Sequence, residues 1–265
     1  MANTSGTSRR EALRQQREKE EQRAKRNRRV LFVALGAVAV VVIAILAVVI
    51  VQSMEENREA SANQQTPPSA TPEGGIEMTS QGAEPADDAP HLVIYEDFQC
   101  PACASREEAF GPATKELIDN GDITVEIRTA HFLDDALQND SSERAALAAA
   151  AADAVGKYRE YHATVYDNQP AREGAGYTDQ QLRVDFPTQA GITGDDLATF
   201  QELYDSRAFQ DFVDLSDQTF RDEGITGTPT YMVGDTKLEF ATEQGEVLIQ
   251  PTPEDLLRAI NEANG

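Results

Sequence analysis

Cysteine is scarce in this chain, whose 265 residues contain only Cys100 and Cys103. A framework of several disulfides is therefore excluded, and a fixed bridge between these two would close too short a loop to restrict the unfolded chain. Histidine is almost as scarce, with three residues, none at metal-ligand spacing from the cysteines. Because a structural zinc site needs four ligands, we expect no metal.

Basic residues are scarce after residue 29. The first 29 residues carry ten Lys or Arg against four acids, whereas the remaining 236 carry thirteen basic and forty-two acidic residues. A domain this acidic repels nucleic acid, which excludes nucleic-acid binding as its function. The simplest interpretation of the acid excess is a solvated, soluble surface.

Charge is absent between Val30 and Val51, where 22 consecutive residues are Val, Leu, Phe, Ala, Gly or Ile. A helix of this length is roughly 33 Å long and crosses the hydrocarbon core of a bilayer. We therefore predict a transmembrane helix over 30–51, with the basic tail 1–29 in the cytoplasm and the rest outside. A cleaved signal peptide is the alternative, because Ala60-Ser61-Ala62 is a small-x-small site, but its apolar run should be only about 7 to 15 residues.

Large apolar residues are almost missing from residues 52–90, which are rich in Gln, Glu, Ser, Ala and Pro. This composition predicts a disordered linker that tethers a folded domain, residues 91–265, to the membrane.

Strand and helix patterns alternate from His91 onward. A short apolar run at 92–95 predicts a buried strand, a helix is predicted over 101–120, and alternating apolar residues at 123–127 predict a second strand. A helical block over about 139–223 comes next, followed by further strands and a last helix. This order predicts an α/β core with a helical insertion.

The spacing of the two cysteines suits a pair that makes and breaks bonds with the thiols of other proteins. Cys100 lies where the first helix begins, so free backbone N–H groups and the helix dipole should stabilise its thiolate. Cys103 lies one turn further on the same face and is better shielded, which suits a resolving thiol.

Several motifs, taken in order, resemble the DsbA-like branch of the thioredoxin superfamily over about residues 91–265. They are a strand leading into Asp97-Phe98-Gln99-Cys100-Pro101-Ala102-Cys103, a second strand followed by His131-Phe132-Leu133, an Ala-rich helix ending in Tyr158-Arg159-Glu160-Tyr161-His162, and Gly224-Ile225-Thr226-Gly227-Thr228-Pro229-Thr230-Tyr231. The resemblance implies a thioredoxin fold with an inserted helical domain. It also implies thiol–disulfide exchange outside the cytoplasm, with a redox-active Cys100–Cys103 disulfide and no other cofactor.

The resemblance further assigns roles to residues. It implies that Cys100 is the nucleophile, that Cys103 is the resolving thiol, and that Thr228-Pro229 forms a cis-proline loop facing the dithiol. The sequence alone favours a trans bond there, because X–Pro bonds in folded proteins are cis only about one time in twenty. We predict that substrates bind against Thr228, Pro229, Pro101 and Ala102.

The membrane-anchored layout is similar to that of the secreted-protein oxidases of actinobacteria. This implies two kinds of partner: exported proteins with free or mispaired cysteines, and a quinone-linked membrane reoxidase related to vitamin K epoxide reductase. The prediction is thus a disulfide oxidase in the cell membrane with its catalytic domain outside. A reductase or isomerase would use the same residues, since direction depends on the potential of the pair. A non-catalytic, tethered client-binding module is the alternative from another class.

Two residues depart from the family pattern. Ala102 stands where the best-known oxidases have His, so we expect the Cys100 pKa to lie below the free value of about 8.5 but above the roughly 3.5 of the most acidic example. Ile94 stands six residues before Cys100, where the family often has a buried acid. For His131 and His162 we expect local hydrogen bonds rather than catalysis.

Overall fold

The computed structural model describes residues 64–265 of the chain. The predicted tail 1–29, the predicted transmembrane helix 30–51 and the first part of the predicted linker lie outside the described residues. Within residues 64–265, no helix is both long and apolar enough to cross a membrane.

A five-stranded mixed sheet forms the centre of the domain, in the order β1-β3-β2-β4-β5. The strands are β1 (Ile76–Glu77), β2 (His91–Glu96), β3 (Thr124–Thr129), β4 (Thr230–Val233) and β5 (Thr236–Lys237). β2 and β3 run parallel, and the other neighbouring pairs are antiparallel. The apolar run predicted as a buried strand is therefore the central strand, and its Leu92 and Ile94 are buried.

Eight α-helices accompany the sheet in the described chain. They are α1 (Pro101–Asn120), α2 (Leu133–Leu137), α3 (Ser141–Ala154), α4 (Tyr158–Asp167), α5 (Phe186–Gln189), α6 (Gly194–Asp205), α7 (Gln210–Asp222) and α8 (Pro253–Asn264), with a π-helical turn at Gln181–Asp185 before α5. Helices α2 to α7 all lie between β3 and β4 in sequence, which confirms the predicted α/β core with a helical insertion. The insertion begins at residue 133, a little before the predicted 139.

Both ends of α1 follow from local sequence. Pro101 occupies its first turn, where a missing N–H has no helical partner to lose. Gly121 ends the helix in the left-handed conformation, with φ of 76°, and its N–H donates to the carbonyl of Ile118. The buried face of α1 includes Phe110 and Leu117, and the helix packs against α4 and α8.

The prediction of a disordered linker is wrong for residues 64–90, which the structure places on the folded domain. Ile76 pairs with Ile127 in β3 and is only 4% exposed. The Ser69 N–H donates to Asp153 at 2.8 Å, and the Thr71 hydroxyl donates to Glu126 at 2.8 Å. The composition of the segment does not indicate this pairing, because only one buried apolar residue, Ile76, and the backbone groups around it are needed to cover the open edge of β3. The folded domain thus begins by residue 64 rather than at 91.

Candidate active site

Cys100 lies between the end of β2 and the start of α1. The Cys100 N–H donates to the carbonyl of Asp97 at 2.9 Å, and the Cys100 carbonyl accepts from the N–H groups of Cys103 and Ala104 at 3.1 and 3.2 Å. Pro101 and Ala102 are exposed, whereas Cys100 is 7% and Cys103 3% exposed. Of the two thiols, Cys100 is therefore the more accessible, and it lies beside the exposed Pro101 and Ala102.

The loop before β4 faces this dithiol. β4 pairs antiparallel with β2, with Thr230 opposite Tyr95, so residues just before β4 lie beside residues just after β2. The Thr228–Pro229 peptide bond is cis. The Cys100 thiol donates to the Thr228 carbonyl oxygen at 3.3 Å. The sheet thus brings the loop within bonding distance of the dithiol across 128 positions of sequence.

The surroundings of the two thiols separate their pKa values. Hydrogen bonds from the Cys103 thiol, from the Thr228 side chain and from the N–H groups of Cys103 and Ala102 outweigh burial and lower the pKa of Cys100 to about 6. Burial, followed by the nearby charges of Cys100 and Glu96, raises the pKa of Cys103 well above its usual value. Near neutral pH the dithiol therefore holds a Cys100 thiolate and a Cys103 thiol, which agrees with the range expected from the sequence.

A buried polar network connects the active-site loop to the helical insertion. The carboxylate of Asp97 accepts from the Gln99 N–H at 2.8 Å, from the Ser142 hydroxyl at 2.5 Å and from the Leu133 N–H at 3.2 Å. Burial nevertheless raises the pKa of Asp97 to about 7. The side-chain amide of Gln99 donates to Asp134 at 2.7 Å. The loop that carries Cys100 is therefore positioned by the insertion as well as by the sheet.

A second pair near the dithiol is Glu96 with His162, which sequence reasoning did not place at the site. His162 Nε2 lies 2.7 Å from Glu96 Oε1, and the two residues are 1% and 4% exposed. Burial opposes the charge of His162, but the carboxylate of Glu96 outweighs it and raises the pKa of His162 to about 9. The aromatic rings of Phe98 and Tyr166 surround the imidazole, with centroids 5.7 and 5.1 Å away. In the sequence, the only indication of this pair is Glu96, an acidic residue at the end of a buried strand. Its partner His162 lies 66 positions away.

A cleft of about 1010 Å³ lies between α1 and α4 and is lined by Pro101, Glu107, His162 and Tyr166, among others. Among residues 64–265, no group of His, Cys, Asp and Glu is arranged to hold a metal ion.

Comparison with known proteins agrees with this geometry. A family model described as Thioredoxin matches residues 78–261. Among solved structures, the MdbA protein of Corynebacterium diphtheriae, a thiol-disulfide oxidoreductase, is 24% identical with a TM-score of 0.55, covering 69% of this chain and 94% of that chain. DsbG of Mycobacterium tuberculosis, in its reduced form, is 26% identical with a TM-score of 0.55, covering 74% of this chain and 90% of that chain.

Reduced DsbA of Mycobacterium tuberculosis is 25% identical with a TM-score of 0.55, and the match covers 72% of this chain and 93% of that chain. The comparison with curated proteins finds no match. Because the family model covers well over half of the chain, and because these structural neighbours share its architecture, the chain belongs to the thioredoxin family as a DsbA-like member.

Proposed function

We propose that this protein is a thiol–disulfide oxidoreductase that introduces disulfides into exported proteins through Cys100 and Cys103. The observation that carries the proposal is the asymmetry of the two thiols, one with a pKa of about 6 at a helix start and the other buried with a raised pKa. The activities of similar proteins, including a disulfide bond oxidoreductase at 26% identity, support the same chemistry.

The proposed reaction transfers one disulfide. A client thiolate attacks the Cys100 sulfur of the oxidised pair, the Cys100–Cys103 bond breaks, and Cys103 leaves and takes up a proton. A second client thiolate then attacks the client sulfur of the mixed disulfide and releases Cys100 as a thiolate. The client loses two electrons and the enzyme gains them. A low pKa at Cys100 favours this direction, because it stabilises the leaving thiolate and the reduced enzyme.

We propose that clients bind across the exposed edge formed by Pro101 and Ala102 and against Thr228 and Pro229. Thr228 and Pro229 are half-buried, and Pro229 has no N–H that a client would have to satisfy. This edge is the accessible side of Cys100, whose thiol already contacts the Thr228 carbonyl.

The reaction outside the cytoplasm is part of the proposal. Its support is the apolar run at 30–51 behind an Arg-rich tail, which favours a membrane anchor with the domain outside. Each transfer leaves a reduced dithiol, so an electron acceptor is required for turnover. A quinone-linked membrane reoxidase of the vitamin K epoxide reductase type would meet that need at the same membrane.

The test is the equilibrium reduction potential of the Cys100–Cys103 pair in redox buffers, followed by assays on reduced and on scrambled clients. A potential near the DsbA value of about −120 mV supports an oxidase, whereas one near the thioredoxin value of about −270 mV favours the reductase alternative. Faster repair of scrambled than of reduced clients would favour an isomerase.

A trapping experiment separates an enzyme from a non-catalytic binding module. The Cys103→Ser variant cannot resolve a mixed disulfide, so an enzyme accumulates clients bound to Cys100. The matched Cys100→Ser variant should trap none. If Cys103→Ser also traps none, the binding-module alternative is correct.

A further inference from the structure

A second groove, of about 530 Å³, borders the dithiol at Ala102. It lies between the first turns of α1 and the irregular segment 238–251, and it is lined by Ala102, Arg106, Phe110, Phe240 and Val247, among others. The groove is separate from the cleft that contacts His162, because the two share only Ser105.

Aromatic and aliphatic side chains form much of this groove. The rings of Phe110 and Phe240 pack edge to face with centroids 4.8 Å apart. Val247 is 55% and the adjacent Leu248 45% exposed, and together they are two of the three large apolar side chains exposed in the described chain. Exposed apolar surface beside a reactive group is typical of a binding surface.

Arg106 is the charged residue of this groove, and no carboxylate among the described residues pairs with it. Its guanidinium lies 3.6 Å from the centroid of the Phe240 ring. Its Nη1 atom is buried without a hydrogen-bond partner among residues 64–265. Apart from Arg172, every other arginine in the described chain makes an ion pair.

The unpaired state of Arg106 contrasts with the composition, because the chain has 46 acidic residues. Stacking on Phe240 occupies the face of the guanidinium, whereas its five N–H donors lie in its plane. A partly buried guanidinium without an acceptor is costly, and an incoming carboxylate would form strong, charge-assisted hydrogen bonds with it. Arg106 is thus positioned to form an ion pair with a carboxylate of a bound molecule.

We propose that Arg106 selects clients with an Asp or Glu in the segment that lies along this groove, beside the reacting cysteine. The inference rests on the proposed function, because it concerns which clients the dithiol accepts. Cys100 and Arg106 are six residues apart on the helix, which is about 9 Å of rise. An extended client covers that distance in about three residues. The selected carboxylate should therefore lie about three residues from the client cysteine.

The test compares peptides that are identical except for Asp, Asn or Lys about three residues from their reacting cysteine, on either side. The full chain, in a mild detergent, is mixed with each dithiol peptide to measure oxidation. Binding is measured separately with matching peptides whose cysteines are replaced by serine. We expect the Asp peptide to bind about tenfold more tightly than the Lys peptide, with Asn between them, and the difference to shrink at high salt.

Variants of Arg106 connect this preference to the groove. Arg106→Gln should remove the preference, Arg106→Glu should reverse it, and Arg106→Lys should retain part of it. Arg172→Gln is the matched control, since it removes an exposed guanidinium that lies outside the groove and makes no ion pair within residues 64–265, and it should leave the preference unchanged.

The outcomes for the two proposals differ. Equal binding of Asp and Lys peptides to the unaltered chain overturns the selection by Arg106, even if all peptides are oxidised. A preference that survives in a folded Arg106→Gln variant also overturns it. Failure to oxidise any peptide counts against the proposed function, whereas the serine peptides still decide the role of Arg106.

Discussion

At the scale of single residues, the dithiol shows how position alone differentiates two identical side chains. Cys100 contacts the Thr228 carbonyl at the rim of the domain, and Cys103 lies behind it in the core. Burial favours the neutral thiol at Cys103, and hydrogen bonds favour the thiolate at Cys100. At the same pH, Cys100 is therefore deprotonated to a larger extent than Cys103, as nucleophilic and resolving thiols require.

The pKa of Cys100 can be measured directly. Alkylation of the reduced protein by iodoacetamide should rise with pH about a midpoint near 6. Because the largest cause of the lowering is the hydrogen bond from Cys103, the Cys103→Ala variant should move the midpoint upward. A midpoint close to the free value of about 8.5 in the unaltered protein would contradict the proposed thiolate.

The Glu96–His162 pair predicts a pH-dependent contribution to stability. The folded pKa of His162, about 9, lies above its unfolded value of about 6.5, so its stabilisation is fully present below about pH 6.5 and is lost as pH rises through 9. His162→Gln removes the partner of a buried carboxylate and should cost about 3 kcal/mol near pH 6.5. The cost should decrease towards pH 9.

Urea unfolding of the unaltered and variant proteins at several pH values gives this difference. His91→Gln is the control, because His91 lies 3.2 Å from Glu126 but is half exposed, and such a pair contributes about 1 kcal/mol or less. A cost for His162→Gln that is the same at both ends of the pH range would refute the assigned charge.

At the scale of elements, the active site depends on strand pairing more than on any helix. The register of β2 with β4 places Thr230 opposite Tyr95 and so brings the Thr228–Pro229 loop to Cys100. The insertion supports the other side of the site, because the Ser142 hydroxyl donates to Asp97 in the loop that carries Cys100. Nucleophile, loop and insertion are thus held by separate elements that meet at the end of β2.

The segment before β2 predicts how the domain should be truncated. A fragment of residues 91–265 lacks β1 and leaves the surface beneath Ile76 uncovered, so it should be less stable than residues 64–265. Burial of one Ile side chain alone accounts for about 2 kcal/mol. The comparison is the urea midpoint of the two fragments, with Ile76→Ala in the longer one as the smaller, matched change. Equal midpoints would mean that the segment adds nothing to folding.

At the scale of the whole molecule, the uneven charge and the apolar run suggest a tethered enzyme. After alkaline extraction, the full chain should remain in the membrane fraction, whereas a chain lacking residues 1–51 should be released. In intact spheroplasts treated first with an impermeant reductant, which opens the Cys100–Cys103 disulfide, an impermeant maleimide should label Cys100 if the domain faces outward. Labelling only after lysis would place the domain in the cytoplasm and contradict the proposed location.

The features that the sequence by itself determined are those set by neighbouring residues. The dithiol, the start of α1 at Pro101 and its end at Gly121 depend on backbone preferences within a few positions. The order of strands and helices follows from the period of apolar residues, and motif order indicated the family. Six candidate residues were therefore available from sequence: Cys100, Pro101, Ala102, Cys103, Thr228 and Pro229.

The tertiary structure alone decided the contacts between distant segments. Composition averaged over residues 52–90 could not show that Ile76 completes the edge of β3, because pairing depends on a strand about fifty positions away. Likewise, the partner of Glu96, and the lack of a hydrogen-bond acceptor for Arg106 Nη1 within residues 64–265, depend on which helices and loops pack together. Hydrogen bonds and ion pairs act over a few ångströms, so only the folded chain determines which of the many acids and histidines meet.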